Sequence, residues 1–354
     1  MTRYIFRRLL QAIPTLVGIS IISFFLAYSA PGDPISMYNF DPKATPEALE
    51  TLRRQIGLDQ PVPIQYVRWM TGVSLRRGDH AAEFQTDDTR CRYLASLDLT
   101  TCDSGKGVIR GDLGMSLQTK QPVWDRLVER MPATLELGVT SLLLALVIGV
   151  PLGVLSAVYR GSIFDNIVRF LSVVGQAVPN FWMGIMLIFV FGVILGWLPT
   201  GGRQTVSLTQ EFDLADRIRH IILPATVLAL GGIAIFSRVM RTETLEVINT
   251  DYIRTARAKG LGYSAVYFVH AFRNSLIPLM TLLGPAILGV LSGAVVTETV
   301  FAWPGMGRLT IAAVFQRDYP LVLGSVMVFS FLTIMGNLLS DILYGVVDPR
   351  VRLE

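Results

Sequence analysis

The fold class is decided by stretches such as TLELGVTSLLLALVIGVPLGVLSAV, which runs from Thr134 to Val158 and carries a single charged residue, Glu136. A helix needs about 20 predominantly apolar residues to cross a hydrocarbon layer about 30 Å thick. This stretch satisfies both conditions, so it predicts a membrane-spanning helix.

The composition of the whole chain supports the same interpretation. Of its 354 residues, 51% are hydrophobic and 16% are charged, and the mean hydropathy is +0.50. Soluble globular chains carry roughly 25% charged residues. These values exclude a disordered tail protein, a disulfide-scaffold toxin and an ordinary cytosolic enzyme, and they predict an all-α polytopic membrane protein.

The net charge is +4 and the isoelectric point is near 9.1. Such a balance is also found in nucleic-acid-binding proteins. In a membrane protein it is better explained by the retention of basic residues on the cytoplasmic side, so no nucleic-acid partner is expected.

Six membrane-spanning helices are predicted from windowed hydropathy. The third is longer than one crossing needs and contains Pro179, which predicts a strong tilt or a break. The six predicted spans are Leu9–Ala27, Thr134–Val158, Ile167–Leu198, Ile221–Val239, Ile277–Val300 and Leu321–Val346.

Orientation follows from the distribution of basic residues. They are concentrated in segments on the side of the amino terminus, such as those holding Arg7 and Arg257, and are sparse in the two short loops on the other side. This pattern predicts that both termini are cytoplasmic. The first apolar stretch is interpreted as an anchor, because it exceeds a signal-peptide core and Pro31 would hinder cleavage after Ala30.

The segment Pro31–Pro132 is then extracytoplasmic, and it is too long to be a simple connection. Helical stretches are predicted at Pro46–Ile56 and Val123–Arg130. Both cysteines, Cys91 and Cys102, fall within this segment. On the oxidising side of a membrane they predict a disulfide; the alternative is two free thiols, and their spacing disfavours a metal site.

The sequence has no phosphate-binding GxxxxGK[ST] loop, no HExxH, no GxSxG and no Cys/His cluster, so no catalytic or metal site is predicted. The histidines His80, His220 and His270 are scattered and are interpreted as satisfied polar residues. Ionisable residues in spans are functional candidates by default. Here Arg238, Glu298 and Asp341 lie near interfaces, where snorkelling or structural pairing is the more common role.

GxxxG spacings allow close helix approach, and packing within the chain is their expected use. They occur at Gly149 and Gly153, Gly192 and Gly196, and Gly289 and Gly293.

The segment from Arg241 to Pro278 is the only sizeable cytoplasmic loop. Thr250 or Asp251 is a candidate cap for a short helix over Tyr252–Lys259, which glycines then end. Small residues alternate with basic ones along that helix, as expected for a compact helix that enters a groove. A solvated basic loop is the alternative; it explains the charges but not the small residues and glycines.

Taken end to end, the sequence resembles the inner-membrane permeases of peptide-type ABC importers, in particular the dipeptide and oligopeptide permease B branch. The segments that carry the resemblance are RRLLQAIPTLVGIS near the amino terminus, APGDP at Ala30–Pro34, IGLDQP at Ile56–Pro61, GDLGMS at Gly111–Ser116, MPATLELG at Met131–Gly138, RGSIFDN at Arg160–Asn166, DYIRTARAKGL at Asp251–Leu261, HAFRNSLIP at His270–Pro278, TETVFAWPGMGR at Thr297–Arg308, RDYP at Arg317–Pro320 and LYGVVDPRVR at Leu343–Arg352.

The resemblance implies a type I ABC importer permease fold in the plasma membrane. It also implies a second homologous permease subunit, two ATPase subunits that bind ATP and Mg, and an extracytoplasmic solute-binding protein. The substrates implied are dipeptides or oligopeptides; other members of the family take nickel chelates, haem or oligosaccharides. An autonomous secondary transporter is the less favoured alternative, because no mid-membrane charge is found. A membrane-anchored sensor is a third, and it would not require six spans.

Within this family the RTARAKG segment is similar to the EAA coupling loop, here placed in residues 241–276. Arg254 stands where the general pattern has an acidic residue, and Pro278 is farther from Gly260 than in the short pattern. The residues expected to couple to the ATPases are Arg254, Thr255, Ala256, Arg257, Lys259 and Gly260.

Domain boundaries are expected at 1–30 for the amino-terminal end and first span, 31–133 for the extracytoplasmic region and 134–354 for the permease core. Residues 74–107 are interpreted as an extracytoplasmic insertion, a disulfide-pinned element that either contacts the binding protein or guards the pore entrance.

Overall fold

The computed structural model describes residues 2–29, 45–80, 89–205, 213–262, 265–292 and 294–347. The APGDP segment and the last residues, including Arg350 and Arg352, lie outside the described residues. The helices are α1 (Thr2–Ser29), α2 (Pro46–Ile56), α3 (Val62–Thr71), α4 (Val123–Val158), α5 (Ile163–Ala177), α6 (Asn180–Leu187), α7 (Leu214–Ile248), α8 (Asp251–Ala258), α9 (Phe272–Ser292), α10 (Val295–Val300), α11 (Met306–Phe315) and α12 (Tyr319–Val347). The strands are β1 (Val73–Arg77), β2 (Arg90–Leu94) and β3 (Leu99–Asp103).

Four helical segments in the described residues are long and apolar enough to cross a membrane on their own: Phe6–Ser29, Val123–Val158, Leu214–Ile248 and Tyr319–Leu339. Two bent pairs add to them. Ile163–Ala177 and Asn180–Ile194 meet at 105°, and Ala265–Leu276 and Pro278–Ile287 meet at 41°. If each pair is one span, the total is the predicted six.

The 105° bend lies where the sequence predicted a tilt or break. Pro179 has no amide hydrogen to continue the helix, and it forces Val178 into an extended conformation with φ −79° and ψ 125°. The helix resumes at Asn180 and continues as a π-helical turn over Ile188–Ile194.

The fifth predicted span differs from the structure at its end. A π-helical turn over Ala265–Ala271 precedes α9, which ends at Ser292, and α10 is a separate short helix. The predicted continuous helix to Val300 is therefore replaced by two helices. Windowed hydropathy did not separate them, because it averages over the short break between Ser292 and Val295.

The described residues form two compact units. One comprises Met1–Leu10, Arg130–Leu309 and Phe331–Glu354, and the other comprises Gln11–Glu129 and Thr310–Ser330.

In the first unit, α4 packs closely on α7 because glycines allow their backbones to approach. A Cβ atom on Gly153 would lie 2.4 Å from the carbonyl oxygen of Ser237, and one on Gly149 would lie 3.0 Å from Ile233. Met240 and Val154 are buried at this contact. This GxxxG pair therefore serves packing within the chain, as expected.

The second unit contains a small antiparallel sheet in the order β1-β3-β2, which was not predicted from the sequence. Cys91 and Cys102 are directly opposite each other on β2 and β3, and they form a disulfide. Thr100 and Cys102 alternate as the buried positions of the central strand. Most of the sheet falls within the segment 74–107 that was interpreted as an insertion.

The same unit is held together by aromatic and polar contacts. Phe24 stacks on Tyr28 at 4.4 Å, and Tyr28 stacks on Tyr319 at 5.7 Å. The buried carboxylate of Asp318 accepts hydrogen bonds from the Ser116 hydroxyl and, at 3.1 Å, from the Leu117 amide. The GDLGMS segment is thereby tied to the start of α12.

Candidate coupling site

The candidate site is built around α8, which follows α7 after a sharp turn. Thr250 occupies the N-cap position with extended backbone angles, but its side chain makes no cap hydrogen bond. Its hydroxyl instead donates to the carbonyl oxygen of Val247 at 2.6 Å. Thr250 therefore ties α8 to the end of α7, and the capping role that the sequence suggested for its side chain is not observed.

The carboxyl end of α8 is closed by a Schellman motif. The amide of Gly260 donates to Arg257 O at 2.9 Å, and the amide of Leu261 donates to Ala256 O at 3.3 Å. Gly260 has φ +77°, a left-handed conformation that favours glycine. A Cβ atom there would meet nothing within 4 Å. The glycine is therefore required by the backbone conformation and not by lack of space.

One face of α8 is anchored to the protein. Ile253 is fully buried and Ala256 is 8% exposed, and both pack against Val266 and Ala271 of the π-helical turn. Ala256, expected from the sequence to take part in coupling, thus lies on the anchored face.

The other side chains of this segment are exposed, and most are basic. Arg254, Thr255 and Arg257 of α8, together with its C-cap residue Lys259, form a surface that we call the exposed α8 face. The guanidinium of Arg257 donates to the Tyr267 hydroxyl at 2.8 Å and lies 5.5 Å from the centre of that ring. Arg254 pairs with Asp251 at 3.2 Å, but their side chains are 73% and 94% exposed, so this pair contributes little to stability. The exposed α8 face therefore carries three cationic side chains.

The end of α7 that leads to α8 is fixed by a buried ion pair. Arg241 donates to both carboxylate oxygens of Asp165, at 2.7 and 2.8 Å. Asp165 is only 1% exposed, and it also accepts from the Ser156 hydroxyl at 2.5 Å and the Gly161 amide at 3.0 Å. This network was not predicted from the sequence, although Asp165 lies in the RGSIFDN segment.

A cavity of about 410 Å³ lies between α4, α7 and α9. Its walls are mainly apolar, with Phe236, Leu282 and Val290 among them. The lining hydroxyls of Thr134 and Ser141 are both engaged, since Ser141 donates to the carbonyl oxygen of Leu137 and Thr134 donates to Glu298. The cavity therefore offers its contents few polar groups.

Glu298 was expected to snorkel or to have a structural role, and the structure gives it a structural one. The carboxylate is fully buried and accepts from the Thr134 hydroxyl at 2.8 Å and the Arg308 amide at 3.0 Å. Cβ atoms on Gly305 or Gly307 would lie 2.3 and 2.9 Å from its carboxylate atoms. The two glycines of the WPGMGR segment thus let the chain wrap a buried carboxylate.

The remaining candidates are placed as follows. Arg238 is exposed and donates to Gln176 at 3.0 Å. His220 is buried, with Nδ1 2.8 Å from the carbonyl oxygen of Asp216. The side chains of His270 and Asp341 lie outside the described part of the chain.

This architecture defines a class of helical membrane protein. In this class a short basic helix follows the fourth apolar span, and one face of that helix packs against the rest of the protein. The chain belongs to the family of binding-protein-dependent transport system inner membrane components, whose model matches residues 149–353. A second model, for the amino-terminal part of such membrane components, matches residues 1–92.

Relatives of known name align along the whole chain. The oligopeptide transport system permease protein AppB of Bacillus subtilis is 41% identical over 99% of this chain and 100% of its own length. The dipeptide permease protein DppB of Escherichia coli K12 is 38% identical, and the di/tripeptide permease protein DppB of Pseudomonas aeruginosa is 36% identical, each over 99% of both chains. Among solved structures, the MetNI methionine ABC transporter in inward-facing conformations matches at a TM-score of 0.45 and 20% identity, over 61% of this chain and 95% of that one.

Proposed function

We propose that this chain is the transmembrane permease subunit of an ABC importer that translocates dipeptides or oligopeptides across the plasma membrane. The observation that carries the proposal is the alignment along the full chain with three permeases named for peptide transport, at 36% to 41% identity. The apolar cavity is consistent with a substrate class whose side chains vary, because it presents few fixed polar groups.

The partners proposed are a second homologous permease subunit, two ATPase subunits and an extracytoplasmic solute-binding protein, all assembled at the lipid membrane. ATP and Mg are bound by the ATPase subunits, so this chain is not itself an enzyme. Both termini and α8 face the cytoplasm in this proposal, and residues 31–133 face the other side. Residues 134–354 form the permease core.

In the proposed mechanism the bundle alternates between inward-open and outward-open states. The exposed α8 face sits in a groove of an ATPase, and Ile253 and Ala256 transmit its movement because they are packed into the protein. The Arg241–Asp165 pair joins α7 to α5, so α7 can carry the movement towards the cavity that it lines. Coupling requires nucleotide and substrate to favour different states, typically by about 1 to 3 kcal/mol.

The test begins with purification of the tagged chain in mild detergent and identification of the proteins that remain bound. A second permease and ATPases are expected. The recovered assembly is then placed in liposomes with the binding protein, and uptake of a labelled dipeptide is measured with and without ATP. Uptake that needs ATP and the ATPases is expected.

Two outcomes contradict the proposal in different ways. Uptake by the chain alone indicates an autonomous secondary transporter. ATP-driven uptake of a nickel chelate, haem or an oligosaccharide, with none of peptides, keeps the importer role and changes the substrate. The double variant Arg254→Glu, Arg257→Glu is expected to lose ATP-driven uptake, whereas Arg160→Glu, on the exposed α4–α5 turn, serves as the matched control.

A further inference from the structure

A second cavity, of about 390 Å³, lies between α5 and α7 and is unusually basic. Three arginines line it, Arg169, Arg238 and Arg241, together with the hydroxyl residues Ser172, Ser237 and Thr242. We call it the basic pocket. It is separate from the exposed α8 face and shares no lining residue with the apolar cavity.

The charges in the basic pocket do not balance. Arg241 is neutralised by Asp165, at 2.7 Å. Arg238 donates to the neutral amide of Gln176, and Arg169 has no ion pair among the residues that the structure describes. Three guanidinium groups against one carboxylate leave two positive charges in excess. An anion is therefore the complementary ligand.

The position of the basic pocket along α5 indicates which kind of anion it would bind. Arg169 is seven residues beyond Ser162, the N-cap of α5, which corresponds to about 10 Å of helical rise. Headgroup layers are roughly 5 to 7 Å thick on each side of the hydrocarbon, and an arginine side chain extends several ångströms towards them. With Ser162 taken as the outer limit of the cytoplasmic headgroup layer, as the orientation in the proposed function implies, the guanidinium of Arg169 reaches the level of lipid phosphates.

Apolar surface continues beside the basic pocket. Phe170 and Val173 of α5 are 66% and 59% exposed. A phospholipid has the same arrangement, with a charged phosphate next to acyl chains. Basic pockets between membrane helices on the cytoplasmic side are a recurrent setting for anionic headgroups.

We propose that the basic pocket binds the headgroup phosphate of an anionic phospholipid and that the lipid bridges α5 to α7. The assignment to the cytoplasmic leaflet rests on the proposed function, because it takes its orientation from α8. Since α7 leads directly to α8, a bound lipid stiffens the connection between the bundle and the exposed α8 face.

The test measures lipid retained by the full chain in neutral detergent. The chain is titrated with phosphatidylglycerol and, separately, with phosphatidylcholine, and bound lipid is counted by native mass spectrometry. Tight binding of phosphatidylglycerol is expected, with weak binding of phosphatidylcholine. Arg169→Gln and Arg238→Gln should each lower the affinity about fivefold, and the double variant about 25-fold. Both substitutions leave the Arg241–Asp165 pair intact.

Arg160→Gln is the matched control, because it removes an exposed arginine at the same end of α5 but outside the pocket. Unchanged phosphatidylglycerol binding in the double variant overturns the proposal, as does equal binding of phosphatidylcholine. Displacement of the lipid by equimolar inorganic phosphate identifies a soluble phosphate site. Displacement by a dipeptide places the pocket on the substrate pathway instead.

The lipid assay uses no ATPase and no transport, so its outcome is independent of the proposed function. Retention of phosphatidylglycerol by the double variant refutes the lipid site even where ATP-driven uptake is intact. Loss of binding in the double variant supports the site even if uptake proves independent of ATPases.

Discussion

The Thr134 hydroxyl donates a hydrogen bond of 2.8 Å to the carboxylate of Glu298, which lies 164 positions away in the chain. The same hydroxyl accepts from the Met306 amide at 2.8 Å. The hydroxyl of Thr134 therefore forms hydrogen bonds both with the buried carboxylate and with the turn that surrounds this carboxylate. Thr134 also lines the apolar cavity, so these two hydrogen bonds fix the position of one end of the cavity wall.

Gly305→Ala is expected to destabilise the protein by about 1 to 3 kcal/mol, because the added methyl group would lie 2.3 Å from the Glu298 carboxylate. The midpoint of thermal unfolding in detergent measures the effect. Gly231→Ala in α7 is the control, since its added methyl group meets nothing within 4 Å. Equal midpoints for the two variants would show that the turn is not tightly wrapped.

Gly260→Val is expected to lower substrate-stimulated ATPase activity of the assembled transporter while leaving assembly intact. A β-branched residue is strained by roughly 1 to 2 kcal/mol at φ +77°, so the Schellman motif opens and α8 loses its fixed end. Gly260→Asn should retain more activity, because asparagine tolerates the left-handed conformation. Equal ATPase activity in the two variants would contradict the conclusion that the left-handed backbone conformation at Gly260 is required for coupling.

Arg241→Gln is expected to cost about 3 to 5 kcal/mol, because it leaves the buried Asp165 carboxylate without its cation. The double variant Asp165→Asn, Arg241→Gln should recover part of this loss. Arg254→Gln, which breaks only the exposed pair with Asp251, should change stability by less than about 1 kcal/mol. Denaturation midpoints in detergent compare the three. A small effect of Arg241→Gln would argue against a buried pair.

Cys91→Ser with Cys102→Ser is expected to loosen the small sheet, at a local cost of about 2 to 3 kcal/mol, because the closed loop is then unconstrained when β2 and β3 separate. Limited proteolysis should cut the variant faster within β2 and β3. The membrane helices should be cut at the rate of the unaltered chain. Identical cleavage patterns would show that hydrogen bonding alone holds the sheet.

Acidification is expected to weaken the end of β3. The Arg110 guanidinium, with help from the Gly105 amide, lowers the pKa of Asp103 from 3.8 to about 2. Because the pKa is lower in the folded state, the ionised carboxylate stabilises the fold above pH 4, and this contribution is lost as the pH falls towards 2. Amide hydrogen exchange of β3, corrected for intrinsic rates, should show reduced protection over that interval. Asp103→Asn should remove most of the pH dependence; an unchanged profile would contradict the assignment.

Features that depend on neighbouring residues were predicted well from the sequence. The six apolar stretches, the bend at Pro179 and the helix Pro46–Ile56 all follow from hydropathy or from the geometry of a single residue. The termination of α8 by Gly260 is another feature that was predicted from local sequence. Each of these is decided within a few positions along the chain.

Features that depend on distant pairs were not predicted. Nothing near Asp165 in the sequence indicates Arg241, and nothing near Glu298 indicates Thr134. The sheet around Cys91 was missed for a similar reason, because its central strand is the last of the three in the chain.

The sequence by itself determined that this chain enters a membrane several times, that a short basic helix follows the fourth apolar span, and which family it belongs to. Apolar length and local backbone preference suffice for the first two, because they act between neighbours. Only the tertiary structure decided which charges are buried together, which face of α8 is exposed and where the cavities lie. Burial is a property of what packs against a residue, and that partner is supplied by a distant part of the chain.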